Sequence, residues 1–176
     1  MNGYIETLTD PSYYGQIVTQ TFPLIGNYGL ISKDFESSAS HVSGYIVRSL
    51  CDIPSNFRCE YDLDSYLQMQ KVIGLCDIDT RKLTKILREA GVMNAMIISG
   101  ESEEAQAAFK ALENQEEKAK LLKKIKAYKI EKAVETVTCS AVKIEESADV
   151  VFKESAEYRF VPVRADGTKI NDQKVA

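Results

Sequence analysis

Side chains able to do chemistry are sparse in this chain. Four cysteines (Cys51, Cys59, Cys76 and Cys139) and one histidine, His41, are the natural candidates for a nucleophile or a metal ligand. The cysteines are widely spaced and none belongs to a C-x-x-C pair. A zinc site needs clustered thiolate and imidazole ligands, so this spacing speaks against a metal centre. The cysteines read instead as free, partly buried thiols. Any Cys–His or Ser–His pair would have to recruit His41. That residue lies in SASHVSGYIVRSL, just before an apolar alternation, and reads as a strand-edge or capping residue rather than a general base. Asp77 and Asp79 in CDIDTR could act as a carboxylate pair, since alternate residues of a strand share a face. The run leads straight into a helix start, however, and capping explains the two acids better. No G-x-G-x-x-G, G-x-x-x-x-G-K-[ST] or G-x-S-x-G segment is present. The residues alone therefore predict no catalytic group, no metal and no cofactor.

The elements that must position these residues can be read from patterning. QIVTQTF, Gln16 to Phe22, is rich in β-branched residues, ends at Pro23 and predicts a strand. PLIGNYG then reads as a loop. Ser37 to Ser40 is a small polar connection, and Val42 to Leu50 predicts a second strand. DLDSYLQMQ predicts a short helix with Asp64 as N-cap. KVIGLCDI, Lys71 to Ile78, predicts a buried strand.

The clearest unit is DIDTRKLTKILREAGV. Leu83, Ile86, Leu87 and Ala90 fall at i, i+3, i+4 and i+7, Asp79 or Thr80 can cap the start, and Gly91 follows as a stop. With a strand at Met93 to Ser99, this segment predicts a βαβ-like unit spanning residues 71–99. Residues 102–132 are rich in Ala, Glu and Lys and predict two helices, opened by Ser102 and by Asn114. The Lys-rich stretch from Lys118 to Lys129 is interleaved with glutamates and reads as a solvated amphipathic helix. Beyond Thr136 the pattern weakens. Asp166–Gly167 can turn a hairpin between RFVPVR and TKINDQKVA, with Pro162 confining its first arm to an edge.

The 176 residues suit one domain with a tail, and 44% hydrophobic with 27% charged residues is ordinary for a globular chain. A net charge of −4 argues against nucleic acid and anionic membrane as partners. There is no apolar run of membrane-spanning length and no signal-peptide pattern, so the expected compartment is the cytoplasm.

Three separated stretches carry a family resemblance, in order: MNGYIETLTDPSYYGQIVTQTFPLIGNYG, SNFRCEYDLDSYL and DIDTRKLTKILREAGVMNAMIISG. The chain resembles the N-terminal domain of the small subunit of glutamine-dependent carbamoyl-phosphate synthetase over about residues 1–138. The resemblance implies an α/β fold, a three-layer β/β/α sandwich of the swivelling-domain type; the patterning adds a C-terminal helical segment and, at 139–176, a weakly patterned linker or β-hairpin tail. It implies an interaction domain packed between a glutaminase domain and the large subunit. In that family, ammonia from glutamine is joined to bicarbonate and ATP phosphate in the large subunit, for pyrimidine and arginine synthesis. The family's glutaminase uses a Cys–His–Glu triad with a G-x-C-x-G nucleophile segment, which does not occur here. ATP is implied for the large subunit, not for this chain. One site residue carries over: the serine of D-P-S-Y, here Ser12, is implied to bind L-glutamine. Read locally, Ser12 is a turn serine satisfying nearby backbone. The family's first strands precede the point matched by MNGYIE. A truncated piece, a gene fragment, a stand-alone protein with its own small-molecule activity and a non-functional remnant all fit that pattern. Two readings of the tail stay open: a hairpin from Tyr158 to Val175 that takes the place of those strands at a sheet edge, or a frayed, disordered end.

Overall fold

The computed structural model describes residues 3–100 and 102–138, all of which belong to one unit of the chain, Met1–Thr138. The expected tail hairpin and Cys139 lie outside the described residues.

The chain opens with α1 (Tyr4–Thr9), followed by a 3-10 turn at Pro11–Tyr13, β1 (Ile17–Thr19) and β2 (Leu24–Ile25). Next come a 3-10 turn at Ser32–Asp34, β3 (Gly44–Ile46), β4 (Ser49–Leu50), α2 (Leu63–Met69) and β5 (Ile73–Leu75). Four helices end it: α3 (Thr80–Ala90), α4 (Glu103–Glu113), α5 (Gln115–Ala127) and α6 (Ala133–Val137). The fold is α/β, and its strand pairs are parallel. One sheet has the order β1-β3-β5, with Ile17 opposite Gly44 and Ile46 opposite Leu75. A second pairs β2 with β4, Leu24 opposite Ser49. The predicted strand at 42–50 is thus split. The chain leaves the first sheet at Val47, whose N–H donates to Leu75 O at 2.8 Å, and joins the second two residues later.

The core lies between α1, α2 and one face of the larger sheet. Tyr4, Ile5 and Leu8 of α1, Leu63, Tyr66 and Leu67 of α2, and Tyr45 of β3 pack together with Ile25, Leu30, Val42 and Val47. Strand alternation turns Tyr45 toward these helices and Gly44 and Ile46 to the other face. The carbonyls at the end of α1 would be orphaned in this core. The polar connection Ser37–Ser40 satisfies them: Ser40 Oγ donates to Leu8 O at 2.7 Å and Ser37 Oγ to Thr9 O at 2.6 Å. The Thr9 hydroxyl donates to Ile5 O and accepts the Glu36 N–H, both at 2.9 Å.

Several expectations need correction. Residues 93–99 form no strand, and β5 pairs with β3 instead, so there is no βαβ unit of the predicted kind. The segment is held by other means. Asn94 Nδ2 donates to Tyr128 O at 2.8 Å and to Lys126 O at 3.2 Å. Ile97 lies over Gly44, where an added Cβ would stand 2.7 Å from Ile97 Cδ1. A short apolar run is ambiguous to periodicity, and here packing against the open sheet face decides it. β5 is only half-buried, not buried. The cap of α2 is Asp62, whose Oδ1 accepts the Ser65 N–H at 2.8 Å; Asp64 sits inside the first turn and accepts from Gln68 Nε2. The three remaining caps agree with the reading: Asp79 accepts from Lys82 N, Ser102 from Ala105 N and Asn114 from Glu116 N. Among the described residues no helix is long and apolar enough to cross a membrane.

Candidate functional site

The Ser12 turn is built almost entirely by its neighbours. Asp10 ends α1 and caps the following 3-10 turn, its Oδ1 accepting the Ser12 N–H at 2.8 Å. Pro11 stands first in that turn, where a missing N–H costs nothing. Gln16 reaches back, its Nε2 donating to Ser12 O at 3.0 Å. Gly15 closes the loop at φ +73°, and its N–H donates to His41 O at 3.1 Å. A side chain there would be strained and would press on Ile130, 3.1 Å from an added Cβ.

The consequence falls on Ser12 itself. Its N–H and its carbonyl are both occupied, yet its hydroxyl has no hydrogen-bond partner among the described residues. Ser12 is exposed. The local role expected of a turn serine is filled by Asp10, which leaves one O–H donor and two lone pairs facing outward. The turn therefore holds the Ser12 backbone in place and presents an unpaired hydroxyl suited to one polar end of a ligand.

The other candidates do not converge on Ser12. His41, ahead of β3 and outside the strands, serves the turn through its backbone carbonyl. It lines a cavity of about 250 Å³ with Tyr14, Ser43, Tyr128 and Lys129, and Ser12 is outside that lining. Of the two acids only Asp79 caps α3, its Oδ1 accepting the Lys82 N–H at 2.9 Å; Asp77 accepts from Cys76 Sγ instead, and both line one cavity with Arg48 and Arg81. Among the described residues Cys51, Cys59 and Cys76 are free thiols. Cys76 is exposed, whereas part burial was expected. Desolvation first, and then the Asp77 carboxylate 3.6 Å away, push its thiol above the ordinary range, the reverse of an activated nucleophile. No group of three or more His, Cys, Asp or Glu among the described residues could hold a metal ion.

Titration is most disturbed elsewhere. Burial pushes the phenols of Tyr4 and Tyr45 up strongly, and that of Tyr66 up to about 12. These are core tyrosines, and Tyr4 Oη donates to Gly29 O at 2.5 Å. Desolvation rather than a charge partner is the main cause, which marks packing and not acid–base chemistry.

Comparison with known proteins identifies the scaffold on which this turn sits. The profile of the family described as carbamoyl-phosphate synthase small chain, CPSase domain, matches residues 1–97. The carbamoyl phosphate synthase small chain of Clostridium perfringens is 53% identical over 118 residues, 66% of this chain and 34% of that protein. The pyrimidine-specific small chain of Bacillus subtilis is 51% identical over 116 residues, 66% of this chain and 32% of that one. The small chain of Salmonella typhimurium is 52% identical over 109 residues, 62% of this chain and 28% of its own length. The chain thus spans about a third of the length of the curated relatives it matches. With the match covering α1, the Ser12 turn and both sheets, the chain belongs to the carbamoyl-phosphate synthase small-chain family through its CPSase domain.

Proposed function

We propose that this chain acts as the N-terminal interaction domain of a glutamine-hydrolysing carbamoyl-phosphate synthase small subunit, with the large subunit as its partner. In this reading it performs no chemistry itself. It supports the supply of glutamine-derived ammonia for carbamoyl phosphate, in the cytoplasm, toward pyrimidine and arginine synthesis. Residues 1–138 form the domain, and the two sheets with α1 and α2 belong to a three-layer β/β/α sandwich of the swivelling type. Ser12 contributes a hydroxyl to glutamine, together with groups of a glutaminase domain. ATP is handled by the large subunit.

The observation that carries this reading beyond kinship is the unoccupied Ser12 hydroxyl. A turn stabilised by Asp10 has no internal need of a serine side chain, so its use lies outside the turn. The 176 residues contain no G-x-C-x-G segment, and the chain alone is expected to release no glutamate from glutamine. Supplied with a family glutaminase domain and large subunit, it should co-elute with them in size-exclusion chromatography and support glutamate release. Ser12→Ala should then raise the KM for glutamine about tenfold, the loss of one hydrogen bond to a charged or polar ligand group, with kcat nearly unchanged. Failure to co-elute would remove the interaction reading. An unchanged KM in Ser12→Ala would remove the glutamine role of that residue. Turnover by the chain alone, abolished by the same substitution, would show a catalyst where none is proposed.

A further inference from the structure

Away from the Ser12 turn, four cations share one hollow. Arg48, Arg81, Lys85 and Arg88 line a cavity of about 430 Å³. Arg81, Lys85 and Arg88 follow at i, i+4 and i+7 along α3, which stacks them on one stripe. Arg48 enters from the connection between β3 and β4. Among the described residues none of the four is in an ion pair; pairs such as Arg58 with Asp34 and Lys120 with Glu117 lie elsewhere. No carboxylate lines this cavity. Asp77 and Asp79 line the adjoining one, which shares Arg48 and Arg81, and the Asp79 carboxylate is engaged in capping.

A second observation points the same way. Thr80, the first residue of α3, forms part of the cavity wall and is 1% exposed, and its Oγ1 is buried with no hydrogen-bond partner. A buried hydroxyl left unmade is costly, so it is kept where it has a use. Thr21 and Thr84 also line the cavity. The positive end of an 11-residue helix lies at the same place.

We propose that this cavity is an oxyanion site for a phosphate-class dianion, either the free ion or the phosphoryl group of a small molecule. Four like charges held together repel, and one bound carboxylate would leave most of that repulsion in place. A tetrahedral dianion offers oxygens to several guanidinium forks at once, and the unpaired Thr80 hydroxyl lies buried in a residue of the same wall. Arg48 and Arg81 can each bind it in a bidentate fashion, while Lys85 and Arg88 supply charge from the helix stripe.

The test is titration of the full, isotope-labelled chain with inorganic phosphate, followed by amide NMR. Acetate at matched ionic strength is the control for screening, phenyl phosphate probes a phosphoryl group on an organic carrier, and a hexaglutamate peptide stands for an acidic protein surface. Saturable shifts at Thr80, Arg81 and Thr84 are expected with phosphate and absent with acetate. Arg48→Gln and Arg81→Gln should each weaken binding about tenfold or more. Arg58→Gln, on a residue already paired with Asp34, should leave it unchanged. Thr80→Val should weaken binding while holding or raising the melting temperature of the unliganded chain, because an unpaired buried hydroxyl is removed. Tighter binding of phenyl phosphate than of phosphate assigns the site to a phosphoryl-bearing small molecule, and the reverse assigns it to the free ion. Saturation by hexaglutamate without saturation by phosphate overturns the proposal in favour of an acidic protein partner. Equal responses to acetate and phosphate, or equal weakening by Arg58→Gln, overturn it in favour of general screening.

Discussion

Helices α1 and α3 form for opposite reasons. α1 has six residues, Gly3 in a left-handed conformation at its N-cap and no capping side chain, yet Tyr4, Ile5, Leu8 and Thr9 are all buried. α3 has 11 residues, a carboxylate cap, a glycine stop and the strongest amphipathic pattern in the sequence, yet Thr80 is its one buried residue. Isolated helices as short as α1 do not hold themselves in water, so α1 exists because the core and the Ser37–Ser40 carbonyl partners hold it. α3 carries its own instructions, and the core barely uses them. Periodicity reports that a helix can form; it does not report how much the fold leans on it.

That contrast can be broken most directly at Leu8. Its side chain is fully buried among Tyr4, Tyr45 and the α2 leucines. Leu8→Ala should lower unfolding free energy by about 2–5 kcal/mol, read from urea midpoints at constant m. A loss below about 1 kcal/mol would mean that α1 is a passenger and the comparison false.

The next test sits on α3. The amphipathic spacing of α3 puts Leu83 and Leu87 on its inner face, and full burial there would make each leucine worth about 2–5 kcal/mol. In the structure Leu83 and Leu87 are half-buried and Ile86 is 46% exposed. Leu83→Ala should therefore cost only about 1 kcal/mol, well under half the Leu8 effect. Lys82→Ala, on the exposed side, should stay within about 0.5 kcal/mol. Equal losses at Leu8 and Leu83 would restore the sequence-based expectation and make α3 a second core element.

What could be read in advance follows the same division. Caps were legible because they are local chemistry: Asp79, Ser102 and Asn114 each accept the N–H expected of them. α1 was not, because YIETLT is too short for a period and its stability is tertiary. Met93 to Ser99 was misread because a six- or seven-residue apolar run fits a strand, a buried turn or an extended strap equally. Ser12 was found only through family resemblance; nothing in its spacing distinguishes it from any turn serine, and its free hydroxyl shows only once Asp10 is seen to occupy the local N–H. The basic stripe Arg81, Lys85, Arg88 stands in TRKLTKILREA at helical spacing, but charges on a helix face ordinarily mark only its solvated side. Arg48 could not have been added to it without the β3–β4 connection in place.

α2 lies between the two extremes and allows the finest test. It buries Leu63, Tyr66 and Leu67 as α1 does, and it is capped by a carboxylate as α3 is. Asp62 accepts the Ser65 N–H at 2.8 Å and the Ser65 hydroxyl at 2.7 Å. These bonds, the backbone one first, hold its carboxyl below the usual range. A carboxyl whose folded value is depressed contributes stability above its unfolded value, near pH 4, and that contribution is lost as pH falls through the lower folded value. Asp62→Asn keeps an acceptor at the cap and removes the titration. The stability advantage of the wild type over Asp62→Asn should therefore be constant from neutral pH to about pH 5 and shrink below about pH 4. The side chain is only partly shielded, so this is the smallest of the expected effects. Urea midpoints of both proteins measured down to about pH 3 give the answer, since the other carboxylates titrate alike in each and cancel in the difference. A difference that stayed flat across that range would mean that α2, like α1, is held by its buried face alone.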